Sequence, residues 1–239
     1  MKKDIKLCIL NYSGNVGKST LAQHMFMPRM PNAQYFSVES INSSDQIDSI
    51  EVEQLRGRQF NVLHEELLGL DSAVVDVGSS NVELFLQLMA QNVDSHSEFD
   101  LFILPTVSED KQQKDTIETI RLLSKLGVPA KKIRVLFNRV EIDSDTDAEF
   151  ETILSYKFVT KSFQTPSRGI VYENPAFQRV GSTGKTLNEI VNDTTDYRAK
   201  LRASTDENEK DFCKKMITIR GMAISANANM NEAFEAITS

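Results

Sequence analysis

The sequence predicts an α/β protein: a mostly parallel central sheet with helices on both faces, followed by a helical C-terminal extension. Two observations carry this. Apolar, β-branched runs alternate with helical patterns from residue 5 to residue 140. Strands that are apolar along their whole length belong to parallel sheets covered on both sides. Beyond residue 140 the periodicity is mainly helical.

The elements follow in order. "IKLCIL" (5–10) reads as a buried strand, then comes a glycine-containing loop and a helix from about Lys18 to Met27. "AQYFSVES" (33–40) is a second strand, and residues 52–68 have apolar side chains at helical spacing. "SAVVDVGSS" (72–80) is a third strand ending in a tight loop, with a helix over 82–91. Residues 99–107 give a fourth strand and 114–127 an amphipathic helix that Gly127 stops. Residues 131–140 are the fifth strand. A helix over 148–163 is opened by the capping-box spacing Thr146-x-x-Glu149. A short extended piece (168–173) precedes a helix from Pro175, and two more helices are expected at 186–203 and 207–237. Only "ASTDENEK" (203–210) resembles a linker.

The composition is ordinary for a globular chain: 239 residues, 40% hydrophobic and 26% charged. It allows one large domain or two small ones, and the economical reading is one domain (1–202) with residues 203–239 packed on it. No run approaches the roughly 18 apolar residues of a membrane span, and the N-terminus has too short an apolar run for a secretory signal. Cys8 and Cys213 make no disulfide framework and read as reduced thiols of a cytoplasmic protein. His24, His64 and His96 are far apart in sequence, which argues against a soft-ligand metal site. A net charge of −7 gives no reason to bind nucleic acid with the whole surface. Lys214, Lys215 and Arg220 are a local basic patch or, better, a solvated helix face.

The chemistry is concentrated in "SGNVGKST" (13–20), between a buried strand and a helix start. In a phosphate-binding loop, successive backbone N–H groups point inward, a lysine reaches the β/γ-phosphates, and a Ser or Thr hydroxyl completes a magnesium shell. Gly14 and Gly17 free the backbone, and Lys18 and Ser19 occupy the cation and metal positions. The general pattern fails at its first glycine, where Tyr12 stands. Asp76, ending a buried strand, is placed to support magnesium, and the Gly78 amide to sense a γ-phosphate. Ser79 or Ser80 can cap the next helix at the same time.

The loop resembles the deviant K-G-G-x-G-K-[ST]-T motif of the ParA/MinD class of P-loop ATPases, which partition plasmids and chromosomes or position the division site. Gly14, Val16, Gly17, Lys18, Ser19 and Thr20 match, and Asn15 replaces a glycine. Ser13 stands where that class has a signature lysine that reaches the partner's phosphates in an ATP-sandwiched dimer. The relaxed loop and the length are most similar to the StbB-type plasmid stability proteins. The resemblance implies Mg-ATP as cofactor, a nucleotide-dependent homodimer, and a plasmid-encoded adaptor or DNA-binding partner. It leaves direct DNA binding open and implies no insertion into a membrane.

It also implies roles for further residues. Glu39 and Ile41 stand where the class has D-x-D; Glu39 can still help hold the metal, whereas an isoleucine cannot orient water, so hydrolysis is expected to be slow. Asp45 and Gln46 are weak substitutes. Asn138 and Arg139 resemble the N-R pair that holds the purine; read as a relative of N-K-x-D, the same residues favour guanine, and adenine is preferred. Tyr172 and Glu173 would line the other side of the base. "GSTGKT" (181–186) mimics a phosphate loop but reads as a helix-ending turn, and "DSDTDAEFE" (143–151) lacks the glycine and final glutamate of a calcium loop. Two rival readings stand beside the switch: an assembly scaffold without turnover, and a small-molecule kinase or ligase.

Overall fold

The structure, a computed structural model, describes residues 4–39 and 57–239. Ile41, Asp45, Gln46 and the first part of the helix expected from residue 52 lie outside the described residues. The N-terminal half runs β1 (Lys6–Ile9), α1 (Lys18–Leu21), β2 (Gln34–Val38), α2 (Gly57–Leu68), β3 (Ala73–Val77), α3 (Val82–Gln91), β4 (Leu101–Thr106) and α4 (Asp110–Lys125). It continues with β5 (Ile133–Val140), α5 (Thr146–Glu149), α6 (Glu151–Thr160) and β6 (Ile170–Tyr172). Four helices follow: α7 (Ala176–Gly181), α8 (Leu187–Val191), α9 (Tyr197–Ala203) and α10 (Glu207–Ile237). A π-helical turn (Ala22–Phe26) and a 3-10 turn (Met27–Arg29) extend α1.

The six strands form one sheet in the order β2-β3-β1-β4-β5-β6, and every pair is parallel. Side chains alternate across such a sheet, and both faces are covered. Cys8, Phe36, Val75, Phe102 and Val135 pack beneath α2, α3, α4 and α6. Leu7, Ile9, Val74, Ile103 and Leu136 pack on the other face against α1, its π-helical extension and the end of α10. The phosphate-loop residues leave β1 for α1 on one face, while β4 feeds α4 on the opposite one. Ligands of open α/β sheets bind at the carboxyl ends of the strands where the connections diverge in this way.

The helix α10 has 31 residues, about 46 Å at 1.5 Å per residue. Cys213 and Met216 pack with Tyr197, and Ile219, Ala223 and Ala226 with α7 and α8. Met230, Ala233, Phe234 and Ile237 complete the sheet core. Phe234 meets Phe26 edge-on, with ring centroids 5.9 Å apart. Cys8 and Cys213 are both buried and unpaired.

Local structure departs from the expected pattern in several places, among them the helix expected over 148–163, which is α5 and α6 parted at Phe150. The helix expected over 186–203 is two helices, α8 and α9. Asp193 accepts from the Thr195 N–H (2.9 Å) and the Tyr197 hydroxyl (2.6 Å), and Asp196 caps α9 by accepting from Ala199 N–H. Short polar side chains bonded to their own backbone compete with the helix here. The capping box at Thr146 and Glu149 is not the one formed, because Asp145 takes the cap and accepts from Ala148 N–H. A true capping box occurs instead at Thr186 and Glu189, opening α8. "GSTGKT" is accordingly the turn between α7 and α8, with Gly184 at φ +67°.

Candidate nucleotide site

The loop between β1 and α1 is shaped by two left-handed residues, Asn15 (φ +58°) and Gly17 (φ +85°). Asparagine is one of the few side chains that tolerate this region, which accounts for its presence where the resembling motif has glycine. Gly17 is required on a second ground: a Cβ there would lie 2.3 Å from Asn138 Nδ2. The first half of the loop is held from below. The Asn11 amide donates to the Pro105 carbonyl (2.8 Å) and Thr116 Oγ1 (2.7 Å), while its Oδ1 accepts from Ser13 N–H (2.9 Å). Tyr12 N–H donates to Thr119 Oγ1 (3.2 Å), and the Ser13 hydroxyl donates to Asp115 (2.8 Å). Position 13 is therefore buried against α4.

The Tyr12 ring does not pack over residues 14–19. It turns to the opposite face of the sheet, into a groove of about 600 Å³ between α3 and α4 with Leu86, Ala90, Leu122 and Leu126. Burial raises its phenol pKa, and Glu83 and Glu118 raise it further.

Lys18 is 8% exposed. Its ammonium donates to the loop's own carbonyls, Ser13 O (2.9 Å) and Asn11 O (3.3 Å). Burial lowers its pKa, countered by Asp76 and Glu39. Asp76 is 1% exposed at the end of β3. Its Oδ2 accepts from the Tyr35 hydroxyl (3.2 Å), and its Oδ1 is buried without a hydrogen-bond partner among the described residues. Burial raises the Asp76 pKa, countered in order by the Ser19 hydroxyl, Lys18 and Tyr35, while Glu39 adds to the rise. A buried carboxylate oxygen with nothing to accept from is a position that calls for an ion or a water. Hard oxygens from a carboxylate and a helix-start serine are the donor set magnesium takes, so Ser19 and Asp76 fit that ion.

Glu39 follows β2 directly, beside Gly78; a Cβ on Gly78 would lie 3.3 Å from Glu39 Cγ. The Gly78 N–H is engaged, donating to the Val38 carbonyl (2.9 Å). Any contact between this amide and a phosphate has to displace that bond.

A cleft of about 230 Å³ continues from the loop, reaching Gly17, Thr20, Asn138, Arg139, Tyr172 and Glu173. Phe177 of α7 and Met230 of α10 also line it. Asn138 donates to the Val16 carbonyl (2.9 Å), so the end of β5 is tied to the loop. Arg139 sits at φ +56° in an irregularity of the β5–β6 pairing between Asn138 and Val140. The fold thus gathers residues 13–20, Glu39, Asp76 and Gly78 at the ends of β1, β2 and β3. It gathers Asn138, Arg139, Tyr172 and Glu173 at the ends of β5 and β6, on the same side of the molecule. Sequence reasoning missed Asn11, Tyr35, the Asp115–Thr119 segment and Met230. Tyr35 was open to detection, since period-two alternation puts it on the face of β2 that Asp76 occupies on β3.

The all-parallel sheet, with the 13–20 loop leaving β1 and Asp76 on neighbouring β3, has the fold of solved McdA, MinD and ParA structures. Particular solved structures share it. Apo McdA from Cyanothece matches with a TM-score of 0.56 at 15% identity, over 92% of this chain and 99% of that one. MinD in the MinC:MinD cell division complex of Aquifex aeolicus matches with a TM-score of 0.54 at 14% identity, over 91% and 96%. A ParA family ATPase from Chlorobium tepidum matches with a TM-score of 0.53 at 13% identity, over 93% and 99%. At such identities the likeness is one of fold. No protein-family model and no curated protein matches the chain.

Proposed function

We propose that the chain is a ParA/MinD-class nucleotide switch that binds Mg-ATP and serves partition, stability or positioning of a plasmid, in the manner of the StbB-type branch. The observation that carries the reading is the orphaned, buried Asp76 Oδ1 beside Ser19 and Lys18 in a loop of phosphate-binding shape. Lys18 would exchange the Ser13 and Asn11 carbonyls for β/γ-phosphate oxygens, a trade of neutral acceptors for charged ones. Ser19 and Asp76 would hold magnesium, with Glu39 nearby; the ion supplies charge neutralisation at the phosphates. Backbone amides of residues 14–20 and the start of α1 would complete the anion cradle. Asn138 and Arg139 would hold the base against Tyr172 and Glu173, adenine in preference to guanine.

The switch would lie at Gly78. Its N–H now bonds Val38, and a γ-phosphate would compete for it, giving two arrangements of the β2 and β3 ends. Residues 1–202 would form the nucleotide domain with residues 203–239 packed on it. The protein would act in the cytoplasm with a plasmid-encoded adaptor or DNA-binding partner, and as a homodimer in the ATP state. Turnover would be slow or partner-dependent.

A second reading, an assembly scaffold that binds ATP without hydrolysing it, draws on Ser13. A side chain bonded inward to Asp115 cannot reach a partner's phosphates as the signature lysine of the class does. ATP and GTP titrations with Mg2+, on wild type and Lys18→Ala, separate these by thermal shift and phosphate release. Stabilisation with slow release supports the switch, and stabilisation with none supports the scaffold. No nucleotide-dependent stabilisation of wild type, or an equal response from Lys18→Ala, defeats the site assignment.

A further inference from the structure

Residues 227–231 of α10, "NANMN", tie that helix both to the α1 extension and to β6. On one side of α10, Arg29 at the end of the α1 extension spends all five guanidinium N–H groups on neutral acceptors. Nε donates to Asn231 Oδ1 (2.7 Å), and Nη2 donates to Asn227 Oδ1 (2.7 Å) and O (3.1 Å). Nη1 donates to the His24 (3.0 Å) and Met25 (2.8 Å) carbonyls. Burial brings this guanidinium down to about 10.

On the other side stands β6, three residues long and, among the described residues, paired with β5 alone. Its open edge is met by one side chain. Asn229 Oδ1 accepts from Tyr172 N–H (2.9 Å), and Asn229 Nδ2 donates to the Ile170 carbonyl (3.0 Å). A residue of a parallel strand bonds its neighbour in this way, taking one N–H and one C=O that flank a single partner residue. The carboxamide therefore stands in for one residue of a seventh strand opposite Val171. Its neighbour Met230 lines the cleft itself.

We propose that Asn229 is a positioning residue for the nucleoside end of the site. It fixes the β6 edge so that Tyr172 and Glu173 form a rigid wall, and it leaves the phosphate end untouched. The proposal rests on the nucleotide reading above. A three-residue strand with one partner is marginal, so loss of the brace costs base contacts, which depend on a formed wall. Phosphate contacts come from residues 14–19 and do not involve β6.

The test compares Mg-ATP with magnesium tripolyphosphate, by calorimetric titration of the full chain. Asn229→Ala is expected to weaken ATP about tenfold, the loss of roughly one to two net hydrogen bonds, with tripolyphosphate unchanged within about twofold. Asn229→Asp, which keeps the acceptor for Tyr172 N–H and loses the donor, is expected to fall between wild type and alanine. Asn227→Ala removes an anchor of Arg29 without touching β6, so it is expected to lower stability with no ATP-specific loss. An equal effect of Asn229→Ala on both ligands, no effect on either, or the same ATP-specific loss in Asn227→Ala overturns the proposal. So does a wild type that binds both ligands equally well, while the phosphate assignment survives. A wild type that binds neither ligand defeats the nucleotide reading, and the proposal falls with it.

Discussion

The loop proposed to hold phosphates and the wall proposed to hold a base are assembled in different ways. Residues 11–19 form a continuous stretch whose shape is set by two left-handed residues and by bonds to α4. The other end is collected from β5, the β6–α7 stretch and α10, three separate parts of the chain. A contiguous loop carries its chemistry in its own residue order, whereas a collected wall depends on elements that recruit one another. A hydrogen bond from the Asn138 amide to the Val16 carbonyl links the two ends.

Removing the cation of the phosphate end should do the most damage. Lys18→Ala should weaken ATP by about a hundredfold, roughly 3 kcal/mol, the scale of deleting a charge-assisted hydrogen bond from a buried site. Next comes the junction between the two ends. Gly17→Ala meets both a left-handed backbone, at about 1–2 kcal/mol, and a Cβ 2.3 Å from Asn138 Nδ2. Chemical denaturation of Gly17→Ala, Asn138→Ala and the double variant should give a cycle in which Asn138→Ala relieves part of the Gly17→Ala penalty. Strict additivity would mean that the two ends are not coupled there.

Asp76→Asn should separate stability from function. The Asp76 carboxyl is raised by burial, so its unfolded form ionises first as pH rises. Stability is therefore lost as pH climbs from the unfolded value through the folded one, and the full penalty is present above the folded value. The asparagine variant should melt a few degrees higher than wild type without ligand and lose the Mg2+-dependent part of ATP stabilisation. A lower melting temperature would count against a carboxylate held at a cost for a ligand.

His24 gives a more modest effect of opposite sign. Burial lowers its pKa, its Nδ1 has no hydrogen-bond partner, and its ring lies 6.2 Å from that of Phe177 in the cleft wall. Its contribution is complete above the unfolded value near 6.5 and is lost as pH falls through the lower folded value. Melting curves between pH 7 and 5 should show His24→Gln losing about 1–2 °C less than wild type. Tyr12→Ala should change least, with ATP affinity the same within about twofold, since the ring lies between α3 and α4. A larger gain would indicate that the ring enters the phosphate pocket.

The contrast between the two ends also explains what the sequence made legible. Gly17-Lys18-Ser19, with a buried strand before and a helix after, is recognisable because the loop works through neighbouring residues. Asp76 is recognisable for the same reason, as a polar residue ending an apolar strand. The direction of the Tyr12 ring was not, because it depends on the gap between α3 and α4. Asn229 was invisible: an asparagine in an asparagine-rich helix reads as solvated surface until β6 is seen beside it. The break between α8 and α9 escaped because the apolar spacing continues through it, while the Asp193 and Asp196 side chains interrupt the backbone.

The order of synthesis gives the α10 brace one more consequence. The loop and α1 leave the ribosome more than two hundred residues ahead of Asn229. Until α10 arrives, Met25, Phe26 and the side chains on that face of the sheet have no cover from Met230, Phe234 and Ile237. A nascent chain stalled in that interval would carry the finished loop beside an uncovered apolar face of the sheet.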